Sequence, residues 1–535
     1  GSGPAAMSLA REFMGTNTRV CVLESGGLEV DPQAQTLSEA TTTGDPFLPP
    51  HVTRHRQLGG NANIWSIKIG SGQMGVRYAP LDDIDFEQRD WLPYSGWPFS
   101  RSHLAPFYQR AQAACQAGPF DYDAESWESE TTARLPLDCD RVTTTMFQFG
   151  PRDAFASESR DALAQAKNIT VYYNATAVEL HANEPAQTVT RVRVATFEGG
   201  HFAVAAKIFI LAKGGLENAR LLLVSQQQQP SGLGNQHDLV GRFFMDHPLV
   251  DGGMFIPKSP KLIDKMALYD LRQVKQVPVM GKLTLSKALM QREQLLNVGV
   301  LMFPRASLRQ SRAIVAFKTL GETIAAGERP DQIPKRLYEM LQGLDYVAIA
   351  AYLAATKKQS LFHGFGRGGW SELSHNHRRF KMFQLFYQTE QAPNPHNRLT
   401  LSSERDALGC QKLELHWRWR DLDAESIRRT HELLTAEIAR SGLGELRREG
   451  SEPLQVLSPS GVAHHMGTTR MHIDPKQGVV DEQCCVHGLT NLFIAGSSVF
   501  PTGGYANPTL TIVALSLRLA DHVKQVLQQA LIEVR

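Results

Sequence analysis

Apolar and polar positions change their pattern along this chain, and the changes lay out its elements. Residues 7–14 read as a helix, 15–17 as a turn, and 19–23 as an unbroken apolar run suited to a buried parallel strand. Residues 169–173, 177–180, 191–197 and 201–205 read as strands, and 208–212 is an apolar strand running into glycines and then a helix. Further on, 277–288, 296–303, 379–389, 397–402 and 412–418 read as strands, followed by a helix over 423–441. Residues 304–375 are basic and irregular and read as an insertion. The chain then offers a short strand before the small residues at 495–498, a turn-rich loop over 501–509 and a long helix over 509–526.

Composition narrows this picture only a little. A length of 535 residues suggests more than one domain. Apolar residues at 42% and charged residues at 21% are ordinary for a globular enzyme. A net charge of +2 leaves no basic excess for nucleic acid. Six cysteines, with no C-x-x-C pair, read as free thiols of a reducing compartment, which favours the cytoplasm over export. No stretch reaches the roughly 20 apolar residues of a membrane span, and 346–355 suits a buried or interface helix. Gly1-Ser2-Gly3 reads as native, so the natural start lies upstream and a signal peptide stays open. Oligomeric state is not legible.

Three glycine clusters carry chemistry. GSGPAA at 1–6 fits G-x-G-x-x-G/A, with Glu24 ending the apolar run about 20 residues later. Gly1 and Gly3 let backbone approach a pyrophosphate, Ala6 lets the helix pack close to the sheet, and a carboxylate such as Glu24 accepts from a ribose diol. The first strand of such a unit would precede Gly1. Leu58-Gly59-Gly60-Asn61-Ala62-Asn63-Ile64-Trp65-Ser66 suits a backbone pressed against a flat ring, or equally a turn with polar caps. Ala212-Lys213-Gly214-Gly215 ends a strand and opens a helix, as do the small residues around Gly496 and the Asn507-Pro508 loop.

With LGGNANIWS, AKGGLENARLLL, GRFFMDHP, EQAPNPHNRLTLS, AHHMGTTRM and NLFIAGSSVFPTGGYANPTLT in order, the chain resembles the glucose–methanol–choline (GMC) family of flavoprotein oxidoreductases. The resemblance implies an α/β fold: a doubly wound, Rossmann-like FAD-binding domain and a substrate domain with a large antiparallel sheet. It divides the chain into 1–85, 165–250 and 455–535 for FAD, and 86–164 and 251–454 for substrate, with 304–375 a candidate lid. It implies His464 as catalytic base, from the H-x-x-G-T segment, and Asn507 as its partner, the His/Asn subgroup. Sugar-oxidising members, pyranose oxidases and fructose dehydrogenases, are the closest in look. The implied FAD contacts are Gly1, Gly3, Ala6, Glu24, Gly59, Gly60, Asn63, Ser66, Val178, Ala212, Gly496, Asn507 and Pro508. Pyranose oxidases often attach FAD through a histidine at the position of Ile64, so here FAD is expected without a covalent bond.

The chemistry explains the residue types. Oxidising an alcohol removes a hydride and a proton, and imidazole is the side chain suited to take the proton near neutral pH. A neutral amide can donate to the developing alkoxide and accept from the hydroxyl. His465 is the nearest rival base and a candidate substrate contact, and His247 reads as structural. Glu390 and Gln391, after the strand over 379–389, are candidate polyol contacts or solvated loop residues. The expected substrate is a small-molecule alcohol, most of all a sugar, glycoside or polyol. The acceptor is oxygen or, favoured, a quinone or haem partner protein. The alternatives are a lyase or decarboxylase on the same fold, and a non-catalytic flavin-binding protein.

Overall fold

A computed structural model describes residues 1–70, 72–325, 329–357, 364–373, 375–448, 456–458 and 463–532. The first helix, Pro4–Arg11, begins three residues earlier than the sequence suggested. Pro4 sits in its first turn, where proline's fixed φ fits and its missing N–H removes no bond. The helix is followed by the strand Val20–Leu23, which pairs in parallel with Ile169–Tyr172. Phe209–Leu211 pairs in parallel with Leu492–Ile494. These short parallel pairs, the helix Gly214–Val224 and the long helix Thr509–Ile532 make the first half. The strands Thr176–Ala182, Val189–Ala195 and His201–Val204 add an antiparallel sheet beside it.

The second half is one large antiparallel sheet of ten strands. Its main path runs Gly444–Arg447, Leu249–Pro257, Met382–Thr389, Val298–Arg305, Val277–Leu285, Val142–Pro151, Met74–Tyr78 and Ile67–Lys68. Val279, Leu283, Val300, Leu385 and Tyr387 are fully buried in its core. Each such aliphatic side chain contributes about 1.5–3 kcal/mol of burial. The last two strands of the path fall within 1–85, so this segment serves both halves.

Two expectations need correction. The strands expected at 397–402 and 412–418 are not on the large sheet. Arg398–Arg405 and Gln411–Trp417 pair with each other, and the second runs parallel to Ala40–Gly44. Arg220, from the Gly214–Val224 helix, holds them there by donating to Gln411 O at 2.8 Å and Asp406 Oδ2 at 2.7 Å. Nor are the described residues of 304–375 irregular: they contain the helices Leu308–Ala325, Ile333–Gln342 and Leu344–Lys357, while 326–328, 358–363 and 374 lie outside the described residues. Alanine-rich sequence in the third favours helix over any loop. Tyr346 and Val347 are buried there, whereas Tyr352 is exposed.

After these helices the chain comes back to the centre. Lys68 N donates to Gly366 O at 2.9 Å. Asp270 accepts from Gly369 N at 3.0 Å and Ser371 N at 2.8 Å, pinning the segment. Among the described residues no helix is long and apolar enough to cross a membrane, and all six cysteines are free.

Candidate active site

A cavity of about 550 Å³ lies between the two halves, within the range of small-molecule sites. Its floor is built from the glycine clusters. Gly1, Gly3, Gly60, Ala212 and Gly496 line it, with Glu24, Ser66, Asn507 and Pro508. Gly60 lies at φ +56°, and a Cβ there would come within 3.1 Å of Gly3 Cα, so the two loops pack backbone to backbone. At Gly3 and Gly496 an added Cβ would meet nothing within 4 Å. That is room beside the start of the first helix, whose end carries no side-chain cap. A phosphate fits such a helix start. Glu24 is buried, taking a hydrogen bond from Ser2 Oγ at 2.7 Å and from Gly26 N at 2.9 Å. The residues present therefore suit a dinucleotide.

Four of the expected cofactor contacts do not line this space. Ala6 is turned away while Ala5 faces in. Gly59 and Asn63 shape the loop instead: Gly59 N donates to Ser2 Oγ at 3.1 Å, and Asn63 Nδ2 donates to Leu58 O and Gly60 O. Val178 is buried off the cavity, whereas Ala175 and Ala177 line it. Successive strand residues face opposite ways, so the wall falls to the odd positions.

His464 and Asn507 line the same cavity. His464 gets there through a two-stranded contact that the sequence did not reveal. Met245 and Met466 exchange backbone hydrogen bonds at 3.1 and 2.9 Å. Two residues along, the antiparallel register sets His247 opposite His464, with the Nδ1 atoms 2.9 Å apart. Gly467 at φ +85° permits the turn, since a Cβ would collide with Phe243 O. Asp246 Oδ1 accepts from the backbone N–H of both histidines, at 2.8 and 2.7 Å.

Burial, then His247, Arg77 and His465, push the His464 imidazole well below its ordinary range. It is thus the neutral, proton-accepting form at pH 7 rather than a group poised near neutrality. Burial also lowers His247 to about 4 and His465 to about 3. Asp246 is raised by burial to about 7, against the two backbone donors.

His465 also lines the cavity, but its Nε2 lies 3.3 Å from Thr53 Oγ1. Thr53 spends its own proton on Pro50 O, at 2.8 Å, so it can only accept from His465. His465 Nε2 is therefore a donor and not a base.

Asn507 is oriented by two residues missed in the sequence. Its Oδ1 accepts from Arg77 Nη2 and from Gln388 Nε2, each at 3.1 Å. With the oxygen taken twice, its Nδ2 is the group left for a ligand. The expectation that Asn507 also accepts from substrate does not fit this arrangement. Arg77 comes from the strand Met74–Tyr78, lies over the Phe147 ring at 4.5 Å and is lowered by burial to about 10, so it stays charged. A lone arginine in a strand carries no motif that would single it out.

Glu390 and Gln391 are misplaced as substrate contacts, because neither lines the cavity. Glu390 is locked in a buried pair with Arg89, at 2.8 and 2.6 Å. Gln391 Oε1 accepts from Asp246 N at 3.0 Å, supporting the histidine loop from behind.

Comparison with known proteins places the chain among flavoprotein oxidoreductases by similarity. Residues 393–516 match the GMC oxidoreductase family model. The fructose dehydrogenase large subunit of Gluconobacter japonicus is 26% identical over 61% of this chain and 48% of its own. A C-glycoside 3-oxidase of Arthrobacter globiformis is 35% identical over 24% of each chain. This chain thus spans about half, or less, of the length of the curated relatives it matches. An FAD-dependent oxidoreductase from Chaetomium thermophilum shares the fold, with a TM-score of 0.52 at 16% identity, covering 99% of this chain and 98% of that one.

Proposed function

We propose that this chain, a member of the GMC oxidoreductases, holds FAD in the cavity and oxidises a CH–OH group of a sugar, glycoside or other polyol. One observation carries the reading: a neutral histidine and an amide with only its N–H free line the same cavity. Gly3 and Gly496 leave space in which the pyrophosphate would sit, beside Gly1, Gly60 and Ala212, while Glu24 would take the ribose diol and Ser66 and Pro508 would hold the ring system. FAD, when bound, supplies the acceptor for the hydride. His464 takes the hydroxyl proton as the C–H hydride leaves, so the alcohol becomes a carbonyl compound. Asn507 Nδ2 donates to the oxygen while its charge develops.

The domain division extends this reading: 1–85, 165–250 and 455–535 for FAD, and 86–164 and 251–454 for substrate, with 304–375 closing the mouth. Phe365 and Gly366 already form part of the cavity wall, which supports the last assignment. Ile64 offers no nucleophile, so FAD is held without a bond there. A quinone or haem partner is the favoured acceptor, and the cytoplasm the favoured compartment.

The test is His464→Ala. With flavin bound, and released by acid denaturation as a non-covalent cofactor should be, anaerobic flavin reduction should slow at least about 10²-fold at saturating sugar. An unchanged rate overturns the base.

A further inference from the structure

We infer that His247 is a positioning residue that fixes the ring tautomer of His464, leaving His464 Nε2 bare toward the substrate. The inference rests on His464 being the base, but its evidence is a separate chain of hydrogen bonds. His247 Nε2 lies 3.3 Å from the Gly503 carbonyl oxygen, which can only accept. Nε2 therefore carries the His247 proton. A neutral imidazole has one N–H, so His247 Nδ1 is a bare lone pair. That atom faces His464 Nδ1 at 2.9 Å, and a hydrogen bond there requires the proton on His464 Nδ1. Neutral His464 then has an unprotonated Nε2, which has no hydrogen-bond partner among the described residues.

The surroundings favour this order over its reverse. His247 is 1% exposed and does not line the cavity, so the bond is made behind His464. Burial keeps His247 neutral, lowering it to about 4. Asp246 accepts from both main-chain N–H groups and clamps the two rings' backbones together. The reverse tautomer would leave His247 Nε2 and Gly503 O as two facing lone pairs in a buried space. When His464 Nε2 takes the substrate proton, the Nδ1–H bond to His247 persists, so the proton transfer needs no rearrangement. His247 does for this base what a carboxylate does in a serine-hydrolase triad, but without adding charge.

Asparagine and leucine at 247 separate this role from packing. Asn Oδ1 can occupy the place of Nδ1 and accept from His464, whereas Leu fills the volume and accepts nothing. His247→Leu should cut anaerobic flavin reduction at least about 10-fold at saturating sugar, and His247→Asn should restore it to within about 3-fold of wild type. Both proteins are compared with flavin bound, judged by their absorbance spectra. In ¹⁵N-histidine holoenzyme, the His464 ring, identified by its loss in His464→Gln, should show Nδ1 protonated and Nε2 bare. That pattern should survive in His247→Asn and be lost in His247→Leu. A wild-type ring protonated at Nε2 overturns the inference, as does equal slowing by both substitutions or no slowing by Leu. If His464→Ala also leaves the rate unchanged, it is the base assignment that has failed.

Discussion

Replacing Asn507 by aspartate changes one atom's chemistry and almost none of its volume. Asn507 Oδ1 sits 3.1 Å from both Arg77 Nη2 and Gln388 Nε2. An aspartate would keep both contacts through one oxygen and present its second oxygen where Nδ2 had been. The charged guanidinium beside it holds that carboxylate ionised, so no proton is available to donate. Losing one preorganised donor to a developing oxyanion costs about 2.7–4 kcal/mol, or about 10²–10³ in rate. A carboxylate facing an alkoxide adds repulsion, so Asn507→Asp should be no faster than Asn507→Ala. The assay is stopped-flow anaerobic reduction of the bound flavin across a sugar concentration series. The loss should fall on the limiting rate, because the donor matters most once charge has developed. A limiting rate within about threefold of wild type would refute the assignment of Asn507 Nδ2 as the donor.

Two further outcomes follow from the buried groups. A base pushed below its ordinary range stays unprotonated as pH falls. Arg77, His247 and His465 face it, and Asp246 touches only its main chain. Flavin reduction at saturating sugar should therefore stay level from about pH 8 to below about 6.5, and a half-maximal rate at or above 6.5 contradicts this. Glu390→Gln leaves Arg89 charged in a buried site, which should cost about 3–5 kcal/mol in denaturant unfolding while the reduction rate of folded protein holds. Preserved stability with a raised KM would instead return Glu390 to the substrate.

What the sequence disclosed depended on how local each signal was. Glycine loops, the strand before Glu24 and the segments holding His464 and Asn507 are local patterns, and the chain delivers them to one cavity. Val178 failed because a strand alternates sides and its inward parity is set by tertiary packing. Glu390 failed because the chain leaves the sheet after Thr389 and meets Arg89, some 300 residues away in sequence. His247 was visible in its Asp-His-Pro setting, but its meeting with His464 depends on the Met245–Met466 register across the fold.

The same long-range contacts explain how this site places neutral groups beside a buried charge. In the proposed reading its base and the base's support are both neutral histidines, and its donor is a neutral amide. The charge on Arg77, which also lines the cavity, is carried to the amide through its bond to Asn507 Oδ1. By bonding Oδ1, Arg77 polarises the amide and makes Nδ2–H a stronger donor, while Gln388 fixes the plane. Arg77 also lies over the Phe147 ring, which supports its charge without a carboxylate. A carboxylate there would neutralise Arg77 and raise the His464 pKa toward protonation. Burial first, then His247 and Arg77, keep His464 unprotonated, so the charge that polarises the amide also helps the buried histidine stay a proton acceptor.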